Sequence, residues 1–246
     1  MSQTFKDLFQ SGLIPDWLDK IFLKSVTPLI HFFSKARVSP NWITACGFFQ
    51  NVIAAIFIIF GHLIVAGLLV GTAGIFDFID GKVASLSQKV TKFGAIFDSI
   101  LDRYSDIVIY LAIALLTFKT EMAAVAVASL LAMIGSLMTS YIKAIGESHG
   151  YHFRSGALRR QERVTLICAG LVLSFVHGGF ERLFQASGFV GFVQQYFPFF
   201  PLSLVIYFLA IFTNLTAVQR FHHLHRLSRS GPLDVSSHPR NSEGNH

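Results

Sequence analysis

Charge is scarce in this chain. Asp, Glu, Lys and Arg make up only 14% of 246 residues and hydrophobic residues 52%, whereas a soluble domain carries roughly 25% charged residues. That shortage argues against a soluble domain and makes a membrane protein the expected class. Cysteine is nearly missing. Cys46 and Cys168 both lie inside apolar runs, which implies no disulfide framework and predicts two buried thiols. Polar aromatics are also few, with two Trp and six Tyr beside 26 Phe. Rings without a polar handle suit surfaces that face lipid tails. The N-terminus lacks the cationic stretch, short apolar core and small-residue site of a cleaved signal, because Asp7, Pro15, Asp16 and Asp19 interrupt it. No cleaved signal is expected. The net charge of +6 does not imply a nucleic acid partner, because the basic residues flank apolar runs and are not gathered into one module.

What the chain has instead is long apolar runs. A membrane-crossing helix needs about 20 mostly apolar residues, and six candidates occur, at 41–60, 62–80, 94–118, 121–143, 162–180 and 199–220. Lys and Arg collect before Trp42 (Lys20, Lys24, Lys35, Arg37), around 82–92 (Lys82, Lys89, Lys92), around 143–163 (Lys143, Arg154, Arg159, Arg160, Arg163) and after 220. The connections on the other side, at Gly61-His62, Lys119-Thr120-Glu121 and 178–198, carry only Lys119 and Arg182. The positive-inside rule then makes the basic side, and both termini, cytoplasmic, in a multi-pass protein of the cell (inner) membrane. The expected organisation is an all-α integral membrane protein in three parts. Residues 1–37 mix Phe, Leu and Ile with Asp and Lys at helical spacing, as in an amphipathic helix on the cytoplasmic surface or a helix packed on the bundle. Residues 38–221 hold the six spans. Residues 222–246, with His222, His223 and His225 followed by a Ser, Pro, Gly and Asn-rich end, predict a disordered cytoplasmic tail.

Five of the nine aspartates, Asp77, Asp80, Asp98, Asp102 and Asp106, fall in one thirty-residue window. A carboxylate at the centre of a membrane helix costs about 2.5–3.5 kcal/mol, so five would cost on the order of 12 kcal/mol, less near the boundary. Arg103 and Arg159 or Arg160 can neutralise one or two of them, and the rest call for bound cations. Asp77 and Asp80 stand three apart, and Asp98, Asp102 and Asp106 stand four apart, so each set shares a helix face. The segment from Gly81 to Phe93 between them is polar and basic and predicts a short turn joining antiparallel helices. Oxygen ligands without Cys or His favour Mg²⁺ or Mn²⁺. Gly71, Ala73, Gly74, Gly81, Ala84 and Gly94 are small, which serves either helix packing or close approach of a ligand.

Asp77, two residues, Asp80-Gly81, two residues, Ala84, then Gly94, three residues, Asp98, three residues and Asp102 resembles the signature of the CDP-alcohol phosphatidyltransferase family, D-x2-D-G-x2-A-R-x8-G-x3-D-x3-D. Every position matches except the Arg after Ala84, where Ser85 stands. Ser39-Pro40-Asn41-Trp42-Ile43-Thr44 resembles the family's Pro-Asn-x-x-Thr element at the start of the first span. The resemblance implies a dimeric six-helix fold and a reaction that transfers a phosphatidyl-type group from a CDP-linked lipid, CDP-diacylglycerol, to a polar alcohol with release of CMP. It implies that Asp77, Asp80 and Asp98 bind two divalent ions and that Asp102 is the general base. Asn41, Thr44, Gly81, Ala84 and Gly94 would form the CDP-lipid site, with Ser85, Lys82 or Lys89 where the family Arg is missing.

Within the family, Asp98-Ser99-Ile100-Leu101-Asp102-Arg103-Tyr104-Ser105-Asp106, Tyr141-Ile142-Lys143-Ala144 and Arg160-Gln161-Glu162-Arg163 resemble the branch whose acceptor is inositol or inositol phosphate. Ile145 replaces another family Arg. That leaves Lys143, Arg160 and Arg163 as candidates for the acceptor phosphate, with Asp106 either binding the acceptor or orienting Arg103. Glycerol phosphate is the alternative acceptor. The rival classes are a cation- or proton-coupled transporter, since intramembrane carboxylates mark ion pathways, and a membrane scaffold without activity.

Overall fold

The computed structural model describes residues 16–36, 38–86, 91–151, 159–184 and 199–229. Residues 1–15 of the expected N-terminal segment, Arg37, Lys89, Arg154 and the end of the chain from 230 lie outside that set. Among the described residues the chain is entirely helical: α1 (Asp16–Lys35), α2 (Pro40–Ile59), α3 (Leu63–Leu86), α4 (Lys92–Lys119), α5 (Ala123–Ser148), α6 (Arg160–Phe184) and α7 (Phe200–Arg229). Four of them, α2, α3, α5 and α7, are long and apolar enough to cross a membrane. α4 is 28 residues long but carries Asp98, Asp102, Arg103 and Asp106, and these charges dilute its apolar character.

The helices run past the apolar windows. α3 continues through Gly81 to Leu86 and α4 starts at Lys92, so the expected turn of 81–93 is shorter than its polar composition suggests. Hydrogen bonding along a helix does not stop where hydrophobicity does. For the same reason 222–229, expected as tail, are the last two turns of α7. No helix breaker occurs before Gly231-Pro232, and Arg226 and Arg229 sit in the last turn, where cations suit the negative end of the helix dipole.

The ends of three helices are closed by left-handed caps. After α2, Gly61 has φ +77°, its N–H donates to Ile58 O at 2.8 Å and the His62 N–H reaches Phe57 O at 2.9 Å. This is a Schellman arrangement, which satisfies otherwise orphaned carbonyls. Glu121 repeats it after α4 with φ 60°, where the Met122 N–H reaches Thr117 O at 2.8 Å, and Gly150 repeats it after α5 with φ +80°.

The chain divides into two compact units, Met1–Phe49 with Thr72–Asp102, and Gln50–Gly71 with Arg103–His246. In the first, Val26 and Ile30 of α1 are buried with Ile43 of α2 and Ile79 and Val83 of α3, while Leu29 and Phe32 remain exposed. α1 is thus held by one apolar edge. Pro28 lies inside α1 on an exposed turn.

In the second unit, Ala54, Ile58, Val70, Ile113, Leu171, Leu202, Ile206 and Leu209 belong to one core. Small residues let the helices come close. A Cβ added at Gly135 of α5 would clash with Thr213 Oγ1 and stand 2.8 Å from the Asn214 backbone N of α7. A Cβ at Gly170 of α6 would stand 3.3 Å from Leu202 Cα. α7 is also tied to α5 by polar bonds, Asn214 Nδ2 to Leu131 O at 2.9 Å and Arg220 Nη1 to Thr139 O at 2.7 Å. Such bonds supply association where apolar contact with lipid competes with contact between helices.

Large apolar side chains remain outside, among them Phe49, Ile53 and Ile56 on α2 and Leu204, Ile211 and Leu215 on α7. An apolar exterior of this extent belongs to a multi-pass membrane protein. It also corrects the expectation for one thiol. Cys46 is exposed and Cys168 half-buried, both free. An apolar run in a membrane helix has a lipid side as well as a core side, and hydrophobicity alone does not separate them. Cys168 Sγ contacts Gly67 O at 3.2 Å.

Candidate active site

In the first unit, residues three, four and seven apart on a helix share a face, and α3 presents Asp77, Asp80, Gly81 and Ala84 in that register. α4 does the same with Asp98 and Asp102. Ligand oxygens of Asp77, Asp98 and Asp102 come within 4.8 Å of one another. Oxygens around one Mg²⁺, bound at about 2.0–2.1 Å in an octahedron, stand roughly 3–4 Å apart. The three carboxylates, hard anionic donors from two helices, therefore fit a divalent ion.

Asp80 stands beside this group, close enough to feel the charges of Asp98 and Asp77, but it is more deeply set, at 5% exposure. Thr44 of α2 donates its Oγ1 hydrogen to Asp80 Oδ2 at 2.6 Å. The same hydroxyl lies 3.1 Å from Pro40 O, but it has one proton, and the charged, nearer acceptor holds it.

The start of α2 explains how Thr44 arrives there. Pro40 occupies the first helical position, where its missing N–H costs nothing, and Asn41 and Thr44 follow three apart on one face. Asn41 Oδ1 lies 3.1 Å from where a Cβ on Gly94 would sit. At the start of α4, Thr91 Oγ1 accepts the Gly94 N–H at 2.9 Å, an N-cap bond. A side chain at 94 would crowd both groups. Around an added Cβ at Gly81 there is nothing within 4 Å, so the helix face next to Asp80 is open. Ala84 is half-buried and Ser85 exposed, and Lys82 Nζ lies 5.5 Å from the Phe78 ring centroid, within cation–π range.

The second unit contains the other predicted residues. Asp106 Oδ2 accepts from Arg163 Nη2 at 3.2 Å and from Ser136 Oγ at 2.7 Å, and Arg160 Nε lies 3.7 Å from Oδ1. Arg163 is 5% exposed. Lys143 forms an exposed i,i+4 pair with Glu147 at 3.6 Å. Residues that sequence reasoning passed over are Ser136 and Arg220. Arg220 feels the charge of Arg163 and is anchored on Thr139 O. The signal for Arg220 was available: Thr213, Thr216 and Arg220 recur at helical spacing along one side of α7, and both threonines are buried.

Residues 37–194 match the family model for CDP-alcohol phosphatidyltransferase. A phosphatidylinositol phosphate synthase of Mycobacteroides abscessus is 30% identical over 216 residues, covering 87% of this chain and 89% of the relative. Crystal structures of the Mycobacterium tuberculosis phosphatidylinositol phosphate synthase superpose with a TM-score of 0.66 at 26% identity. The one with CDP-DAG bound covers 81% of this chain and 92% of its own, and the one in complex with manganese and citrate covers 81% and 88%. The aspartates at signature spacing on two helices and the family match over most of the chain lead to one conclusion: this protein belongs to the CDP-alcohol phosphatidyltransferase family.

Proposed function

We propose that this chain transfers the phosphatidyl group of CDP-diacylglycerol to a hydroxyl of inositol phosphate and releases CMP, a step of phospholipid biosynthesis. The observation that carries this is the set of three carboxylates, Asp77, Asp98 and Asp102, converging within 4.8 Å from two helices in a chain whose relatives are named phosphatidylinositol phosphate synthases. Asp77, Asp80 and Asp98 would hold two divalent ions, Mg²⁺ or Mn²⁺, and Thr44 would fix the carboxylate of Asp80. Bound there, the ions would supply the positive charge that neutralises the pyrophosphate and stabilises the CMP leaving group. Asp102 would take the proton of the acceptor hydroxyl as general base. The acceptor oxygen forms its bond to the phosphatidyl phosphorus as the bond from that phosphorus to CMP breaks, so the proton ends on Asp102 and the electron pair on CMP. Asn41, Gly81, Ala84, Ser85, Lys82 and Gly94 would line the nucleotide, and the open face at Gly81 leaves it room.

For the acceptor, Arg160 and Arg163 supply guanidiniums that match a phosphate monoester, and Arg220 adds a third cation near Arg163. A phosphorylated acceptor suits this surplus of positive charge better than neutral inositol. We read the topology as six spans, α2 to α7, with α1 on the cytoplasmic face of the inner membrane, both termini cytoplasmic, and a homodimeric assembly. The catalytic region is 38–221, with the last turns of α7 beyond it.

The test is CMP release by the purified protein with CDP-diacylglycerol and Mg²⁺ or Mn²⁺, comparing inositol phosphate, inositol, glycerol phosphate and serine. Turnover with inositol phosphate alone supports the proposal. Turnover with glycerol phosphate alone reassigns the acceptor, and no CMP with any of the four overturns the reaction.

A further inference from the structure

We infer that Asp106 is a positioning residue for the acceptor site: it does not touch the acceptor but holds the guanidiniums of Arg163 and Arg160 in the geometry that receives the acceptor's phosphate. This rests on the proposed use of those arginines and adds how they are held. One carboxylate oxygen of Asp106 is hydrogen-bonded within the protein and the other faces a guanidinium. Oδ2 accepts from Arg163 at 3.2 Å and from Ser136 at 2.7 Å, and Oδ1 faces Arg160 at 3.7 Å. Ser136 is 1% exposed, so its hydroxyl is a fixed donor that sets the carboxylate plane.

An arginine side chain has several rotatable bonds, and the ordering cost falls on binding unless the free protein has already met it. The pairing with Asp106 meets it beforehand. Asp106 and Ser136 stand on different helices, α4 and α5, and the arginines on α6, so one carboxylate sets the relation of three helices in this unit. Asp106 therefore differs from Asp77, Asp98 and Asp102, whose carboxylate oxygens come within 4.8 Å of one another.

The experiment compares wild type, Asp106→Asn, Asp106→Glu, Ser136→Ala, Arg163→Lys and the double variant Asp106→Asn/Arg163→Lys, in detergent, with elution volume and Tm recorded for each. KM for inositol phosphate, KM for CDP-diacylglycerol and kcat are measured separately, and wild-type turnover of inositol phosphate is measured first. No wild-type turnover means that the functional proposal has failed, which is distinct from failure of this inference. With active wild type, Asp106→Asn is expected to raise the acceptor KM about tenfold or more, and Ser136→Ala by about threefold. KM for CDP-diacylglycerol should stay within about twofold, and the double variant should be within about twofold of Arg163→Lys alone.

Two outcomes overturn the inference. A lowered acceptor KM in Asp106→Asn would mean that the carboxylate only offsets positive charge, and fully additive effects in the double variant would mean that it does not act through Arg163. If Asp106→Asn does not fold, Ser136→Ala and Asp106→Glu, which keep the charge, decide the matter by the same split between the two KM values. An unchanged split in both overturns it.

Discussion

Thr44 Oγ1 donates to Asp80 Oδ2 at 2.6 Å, joining the first turns of α2 to the aspartates of α3 inside one compact unit. Thr44→Val keeps the shape and removes the donor. A buried carboxylate oxygen that loses its partner costs about 1–3 kcal/mol. The expected outcome is a Tm lowered by several degrees and a higher Mn²⁺ concentration for half-maximal CMP release, whereas Thr44→Ser retains both. Thermal denaturation in detergent and a metal titration check this.

The aspartates should separate by role. Asp102→Asn is expected to lose turnover by a factor on the order of 10²–10⁴ while still binding CDP-diacylglycerol. Asp98→Asn should also weaken the metal, shifting its titration upward. A chelator should abolish CMP release from wild type, and added Mn²⁺ or Mg²⁺ should restore it. Equal turnover in wild type and Asp102→Asn would remove the proposed base.

Gly81 and Gly94 should respond oppositely to a methyl group. An added Cβ at Gly81 meets nothing within 4 Å, and Ala in place of a helical Gly stabilises by about 0.5–1 kcal/mol. Gly81→Ala is expected to keep or raise Tm while raising KM for CDP-diacylglycerol, since the open face is assigned to the nucleotide. Gly94→Ala presses on Thr91 Oγ1 at 3.0 Å and Asn41 Oδ1 at 3.1 Å and should lower Tm. A Gly81→Ala protein with unchanged KM would take the nucleotide away from that face.

Lys143 and Arg163 make a second contrast. Lys143 is exposed and paired with Glu147, an arrangement that contributes about 0.3–0.5 kcal/mol. Lys143→Ala should change the acceptor KM by less than about twofold, in keeping with that small energy. Arg163, buried and bonded to Asp106, should on replacement by Ala raise it by tenfold or more, on the order of the loss of a buried charge pair. Initial rates across acceptor concentrations decide between them.

Much of the catalytic region was legible because it rests on helix periodicity, which is local. Asp77 with Asp80, and Asp98 with Asp102, share faces through spacing alone, and no partner helix is needed to know it. The same holds for Pro40, Asn41 and Thr44. Helix ends were less legible, as at 81–86 and 222–229, because composition reports the surroundings of a helix and not its hydrogen bonds. Cys46 was misjudged for a related reason: in a lipid solvent an apolar neighbourhood marks the outside as readily as the inside.

What the sequence by itself determined is the chemistry on offer, a run of carboxylates at one-turn intervals in an apolar chain, with basic residues beyond. What only the tertiary structure decided is which of these side chains serve each other. Asp106 could have been matched to Arg103, one turn away, but its carboxylate accepts from Arg163, 57 residues on, and from Ser136. Thr44 finds Asp80 across 36 residues, and Arg220 finds Thr139 across 81. Such pairs depend on the rotation and separation of neighbouring helices, set by how small residues such as Gly135 and Gly170 let backbones approach, and spacing along one helix carries no information about the rotation of the next.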